Sequence, residues 1–98
     1  IIFMTDNGPQ QLRYNSNMKG LKGTVYNGGI RVPFYIKYAE KFKNSKVINR
    51  MSAHIDVLPT VLELCDLKIP SDRKIDGQSL VPTINSKAIN DRFLFSYC

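Results

Sequence analysis

The chain has 98 residues, enough for one small domain with a modest core. Hydrophobic residues make up 43% and charged residues 22%, which reads as soluble and globular, and no stretch approaches the roughly 20 apolar residues of a membrane span. The formal charge of +6 favours anionic partners such as nucleic acid, acidic glycans or phosphate and sulfate esters, but it equally describes lysines that keep a surface soluble.

The chain opens on Ile1-Ile2-Phe3-Met4-Thr5, a continuous apolar run that predicts a strand buried on both faces. This run is too short for a signal peptide and lacks the basic flank of one. It stops at Asp6-Asn7-Gly8-Pro9, and residues 6–24 read as loop, rich in Asn, Gly, Ser and Gln. Asn27-Gly28-Gly29 predicts a turn with positive φ. Residues 32–38, Val-Pro-Phe-Tyr-Ile-Lys-Tyr, read as a second strand with Pro33 near its start, where a missing N–H is tolerated.

A lysine-rich surface connection over residues 39–47 leads to the clearest helix. Asp56 is a good N-cap and Pro59 lies in the first turn. Val57, Val61 and Leu64 are spaced for one face, with Leu58, Leu62 and Cys65 beside them. This helix is therefore expected to be packed on both flanks, with Cys65 a buried thiol. It should end near Asp66, before Pro70. Asp76-Gly77 reads as a turn, and Ser79 as the cap of a short helical turn through Leu80 to Ile84. Residues 85–91 form a polar connector and 92–97 a third strand. The elements point to an α/β class without fixing strand order. Both ends fall in strand-like runs, so we expect an excised piece of a longer protein. The two cysteines, Cys65 and Cys98, show no Cys-x-x-Cys spacing and leave the redox compartment open.

Asp6 and Asn7 are the first candidates for chemistry. Hard cations such as calcium and magnesium take oxygen ligands from carboxylates and carboxamides. Neighbouring residues reach one ion only where the chain turns, and Gly8-Pro9 supplies a turn; Asp-Asn-Gly is also an ordinary turn sequence. Lys22, between loop glycines, is a mobile point charge suited to an oxyanion or a solvated surface lysine, and Lys19 has the same two readings. Arg31 at a strand entrance reads as a clamp for an anion or, more in keeping with such a position, as a partner for a nearby carboxylate that fixes the loop. His54, the single histidine, stands before the helix as a base, a substrate contact or a hydrogen-bonded structural residue. Thr24 and Tyr26 suit either substrate contact or loop packing. No nucleophile elbow and no Walker-type signature is present.

Taken together, four blocks resemble the sulfatase family, in the family's order and over nearly the whole chain. They are Thr5-Asp6-Asn7-Gly8-Pro9; Lys22-Gly23-Thr24-Val25-Tyr26-Asn27-Gly28-Gly29-Ile30-Arg31-Val32-Pro33; His54-Ile55-Asp56-Val57-Leu58-Pro59-Thr60; and Asp76-Gly77-Gln78-Ser79-Leu80 followed by Arg92-Phe93-Leu94-Phe95. The resemblance implies part of the mixed sheet flanked by helices of the sulfatase and alkaline-phosphatase-like fold. Residues 1–84 would belong to the catalytic domain, and residues 85–98 would lead toward a smaller C-terminal subdomain. Asp6 and Asn7 match a pair that binds calcium, or sometimes magnesium. Lys22 matches a lysine that contacts the sulfate group, and His54 carries over only as a neighbour of the site. Two positions depart from the pattern: Asn27 stands where the family usually has a carboxylate, and Leu21 where it has glycine.

The family's nucleophile is a formylglycine made from the cysteine of Cys-x-Pro-Ser-Arg. That motif is absent from these 98 residues and is expected upstream of Ile1. The segment alone is therefore expected to lack sulfatase activity. The implied substrate is a sulfated small molecule or glycan, with no nucleic acid and no membrane span, and the resemblance alone suggests a periplasmic or secreted setting. A phosphonate or phosphate ester hydrolase of the same superfamily is the nearest alternative, since both esters are tetrahedral oxyanions. A basic anion-binding module without chemistry is the alternative of another class. It predicts steeply salt-dependent binding and no calcium dependence.

Overall fold

The computed structural model describes residues 1–97, so Cys98 lies outside the described residues. Its elements in order are β1 (Ile2–Met4), α1 (Asn27–Ile30), β2 (Phe34–Ile36), a 3₁₀ turn (His54–Asp56), α2 (Val57–Leu64) and α3 (Val81–Ile84). The chain divides into two units, residues 1–45 with the C-terminal residues from Phe95, and residues 46–94. No helix among the described residues is long and apolar enough to cross a membrane.

In the first unit β1 pairs antiparallel with β2 in the register Ile2↔Ile36, Phe3↔Tyr35, Met4↔Phe34. The ladder extends one pair further: Lys37 N–H donates to the Ile1 carbonyl at 2.8 Å, and the Ile1 amino group donates to the Lys37 carbonyl at 2.8 Å. Side chains alternate across the pleat. Ile2, Met4, Phe34 and Ile36 are half-buried, while Phe3 and Tyr35 face outward with ring centroids 6.1 Å apart. The expectation of a strand buried on both faces is therefore corrected. Phe3 is 60% exposed, because the sheet among the described residues has two strands and no layer over its Phe3–Tyr35 face.

Asn27-Gly28-Gly29 is also corrected. It opens the short helix α1, and the glycines with positive φ are instead Gly20 and Gly23. Residues 92–97 form no strand, and Phe93 and Phe95 stay exposed without a neighbouring strand to pair with.

The second unit is organised around α2. The buried line along its axis runs through Asp56, Thr60 and Leu64, spaced i, i+4, i+8, with Pro59 beside it. Val57, Val61 and Leu62 are half-buried and Leu58 is 52% exposed. The helix thus packs on one flank rather than two. Cys65 falls off the buried line at the C-cap and is exposed, which corrects the buried thiol.

Both helices of this unit end in the same way. Asp66 (φ 55) and Ser86 (φ 62) take the left-handed conformation. Leu67 N–H then reaches the Leu62 carbonyl and Lys87 N–H the Pro82 carbonyl, each at 2.8 Å. This closes the free carbonyls of the last turn without glycine. The Ser79 hydroxyl accepts the Val81 N–H at 3.2 Å, but α3 starts one residue later than expected: its N-cap is Leu80, which has no side-chain capping bond, so Ser79 stands just before the cap.

Candidate functional site

β1 delivers Thr5 and Asp6 into a tight corner. The Asp6 carboxylate folds toward its neighbour, and Oδ1 accepts both the Asn7 backbone N–H at 3.0 Å and the Asn7 Nδ2 at 2.9 Å. The Asn7 amide also reaches the Gly8 carbonyl at 3.4 Å. These bonds leave Asp6 Oδ2 and Asn7 Oδ1 without a partner among the described residues, two hard oxygens on adjacent residues. That donor set fits a calcium or magnesium ion in part. Among the described residues no group of three or more His, Cys, Asp or Glu side chains converges for a metal, so a complete shell needs oxygens from elsewhere.

Backbone bonds fasten this corner to the Lys22 segment. Lys22 N–H donates to the Pro9 carbonyl at 3.0 Å, and Gly8 N–H to the Gly29 carbonyl at 2.7 Å. Gly28 N–H closes onto the Lys19 carbonyl, also at 2.7 Å. The approach is so close that a Cβ on Gly8 would collide with the Gly28 carbonyl, and one on Gly28 with the Gly20 carbonyl. The glycines are there for proximity between backbones, a reason the sequence pattern does not separate from turn geometry. Thr24 serves the loop itself, its hydroxyl donating to the Leu21 carbonyl at 2.8 Å.

The structure therefore brings Asp6, Asn7 and Lys22 into one backbone-bonded cluster. The Lys22 side chain is exposed and makes no bond to the described residues, which leaves its charge available. Lys19 is committed, its ammonium lying 4.1 Å from the Tyr26 ring centroid. Arg31 is exposed and pairs with no carboxylate among the described residues, contrary to the expected ion pair. His54 opens the 3₁₀ turn, exposed, and belongs to the second unit.

One constellation was missed. Asp56, expected as a helix cap, makes no side-chain bond to α2. Its carboxylate is fully buried and accepts Ala53 N–H at 2.8 Å, Gln78 N–H at 3.0 Å and the Arg92 guanidinium through both oxygens, one contact being 2.7 Å. Burial acts to raise its pKa. Donation from Arg92 and the two N–H groups outweighs burial and holds the carboxyl below its ordinary value. Thr60 extends the network, donating to the Asp56 carbonyl at 2.6 Å and accepting Leu80 N–H at 3.0 Å. The sequence signal was a threonine four residues after an aspartate on one helix face, with an unassigned arginine downstream.

Comparison with known proteins places these features in context. The family described as "N-sulphoglucosamine sulphohydrolase, C-terminal" matches residues 21–98. Human arylsulfatase D is 39% identical over 88 residues, covering 87% of this chain and 15% of that protein. Mouse steryl-sulfatase is 35% identical over 86 residues, covering 86% of this chain and 14% of that protein. Rat N-acetylgalactosamine-6-sulfatase is 33% identical over 103 residues, covering 99% and 20%. The chain thus spans about a seventh to a fifth of the length of these relatives.

Proposed function

Because this chain belongs to the sulfatase family, we propose that its Asp6–Asn7 corner and Lys22 form one wall of a site that hydrolyses sulfate esters in the intact protein. The supporting observation is the Lys22 N–H bond to the Pro9 carbonyl at 3.0 Å, which holds the lysine segment against the carboxylate–carboxamide corner. The relatives' names refer to steryl, aryl and N-acetylgalactosamine-6 sulfatases, so the substrate class in this reading is a sulfate ester, with an aryl compound or carbohydrate as the alcohol in our proposal.

Asp6 and Asn7 would hold a calcium or magnesium ion, with further ligands from outside these residues. The ion would supply Lewis acidity, and a formylglycine, also outside these residues, the nucleophile. The chain's own part is electrostatic. The Lys22 ammonium, free of other partners among the described residues, neutralises charge on the oxygens of a tetrahedral ester, as a group already in place before the reaction. Asp6 and Asn7 orient and hold; they transfer no proton. Residues 1–84 belong in this reading to the catalytic domain, within an alkaline-phosphatase-like mixed sheet, and residues 85–98 lead on to a smaller subdomain. The segment by itself is inactive, because it lacks the nucleophile.

The test assays the intact protein on paired aryl sulfate and aryl phosphate esters, with and without a chelator. Chelator-sensitive sulfate release that Lys22→Met lowers by about a hundredfold supports the reading. Preference for the phosphate ester reassigns the substrate to the neighbouring hydrolase class. Turnover unaffected by both Asp6→Asn and Lys22→Met overturns the site.

A further inference from the structure

Lys22 carries the charge on which the proposed ester site depends, yet its side chain makes no bond to the described residues. What aims it is the backbone beneath it. Thr24 N–H donates to the Leu21 carbonyl at 3.1 Å, closing a four-residue turn with Lys22 and Gly23 at its centre. Gly23 has φ 80, the left-handed value that the third residue of a type II turn requires. A Cβ on Gly23 would meet nothing within 4 Å, so this glycine is present for its backbone angle and not for space.

The Thr24 side chain fastens the same turn a second time. Its hydroxyl donates to the same Leu21 carbonyl at 2.8 Å, so both lone pairs of that oxygen are spent on residue 24. Two glycines make room for the hydroxyl: a Cβ on Gly20 or on Gly29 would run into Thr24 Oγ1. A Cβ on Gly29 would also strike the Leu21 and Thr24 carbonyls, so the turn lies directly on the Gly29 backbone. The Gly29 carbonyl in its own right accepts Gly8 N–H at 2.7 Å, beside Asn7. One buried residue, Gly29, is thus both the seat of the lysine turn and the anchor of the Asp6–Asn7 corner.

We infer that Thr24 is a positioning residue for Lys22: its hydroxyl, with Gly23 supplying the backbone angle, locks the Leu21–Thr24 turn so that the ammonium works from a fixed root beside the Asp6–Asn7 oxygens. A lysine stem is flexible, and holding its root limits where its charge can go. Thr24 itself touches no substrate. This role rests on the proposed ester site, since Thr24 has a part only where Lys22 has one.

Steady-state assay of the intact protein on an aryl sulfate tests it through a cycle of substitutions. Thr24→Val keeps the shape and removes the hydroxyl; it should lower kcat/KM by about tenfold, part of the loss of about a hundredfold in Lys22→Met. Thr24→Ser keeps the donor and should stay within about twofold of wild type. Gly23→Ala, at an exposed position with open space around it, strains the turn from its other side and should also cost about tenfold. The deciding measurement repeats Thr24→Val and Gly23→Ala in the Lys22→Met protein. There each should change kcat/KM by less than about twofold, because the charge they aim is gone. A merely structural threonine would carry its full penalty into that background. Such an undiminished penalty overturns the inference and leaves the ester site standing, as does wild-type activity in Thr24→Val, or a Thr24→Ser protein as impaired as Thr24→Val. Full activity in Lys22→Met overturns both together.

Discussion

The two units hold their key residues in opposite ways. In residues 1–45 the Asp6–Asn7 corner is fixed by backbone, through Gly8, Lys22 and Gly28 N–H bonds to carbonyls, while Asp6 and Lys22 stay exposed and Asn7 is half-buried. In residues 46–94 the key carboxylate is itself the fastener: Asp56 is fully buried and joins Ala53, Gln78 and Arg92. A side chain that spends its oxygens on the fold cannot serve a ligand. One that the backbone positions for it can. The difference separates an aspartate with an oxygen left over for a ligand, as we propose for Asp6, from an aspartate of structure, though both lie beside a turn.

The comparison breaks most visibly at Arg92. Arg92→Met leaves the Asp56 carboxylate buried without its counter-charge, and such single removals cost about 3–5 kcal/mol. Urea denaturation of the intact protein should register that loss. Asp6→Ala, at an exposed position, should change stability by less than about 0.5 kcal/mol while lowering turnover. If the two substitutions destabilise equally, the distinction between the units is wrong.

Gly8→Ala comes next, because the new methyl meets the Gly28 carbonyl, a backbone atom that cannot swing aside. Overpacking of this kind costs about 1–3 kcal/mol. It should also lower turnover, by parting the Asp6–Asn7 corner from the Lys22 segment. A Gly8→Ala protein with unchanged stability and activity would show that the backbone fastening is dispensable.

Acid sharpens the same contrast. Asp56 has a folded pKa below its ordinary value of 3.8, so the unfolded chain takes up this proton first as pH falls. Its contribution is complete above that value and disappears as pH drops through the lower folded one. Wild type should therefore lose stability below about pH 4 more steeply than Asp56→Asn, which has no such proton to bind. Parallel pH profiles of the two proteins would remove the ion pair from the account of acid stability.

The geometry of the proposed corner was legible in the sequence because it is local. Asp6, Asn7 and the Gly8-Pro9 turn are contiguous, and Lys22 sits in its own glycine-marked segment. The Asp56–Arg92 pair was not legible, because 36 residues separate its members and nothing in their spacing relates them. The apolar periodicity of α2 misled for a related reason. Hydrophobicity alone favoured Val57 and Val61, whereas hydrogen bonding drew Asp56 and Thr60 to the buried side with Leu64. Strand expectations failed where a neighbour was lacking: Phe3 and Phe93 have the residue type for a buried sheet but nothing lies over them among the described residues.

The smallest effect divides two lysines that sequence alone treated alike. Lys19 and Lys22 both flank loop glycines, and each could have faced an oxyanion. The Lys19 ammonium instead sits 4.1 Å from the Tyr26 ring centroid, an exposed cation–π contact of about 0.5–1 kcal/mol. Lys19→Met should lose about that much stability in denaturant titration and keep turnover within about twofold. Lys22→Met should do the reverse, since its side chain holds nothing in the fold. A protein in which Lys19→Met abolishes turnover and Lys22→Met does not would move the anion-facing charge from one lysine to the other, and the Tyr26 ring would then be the group that positions it.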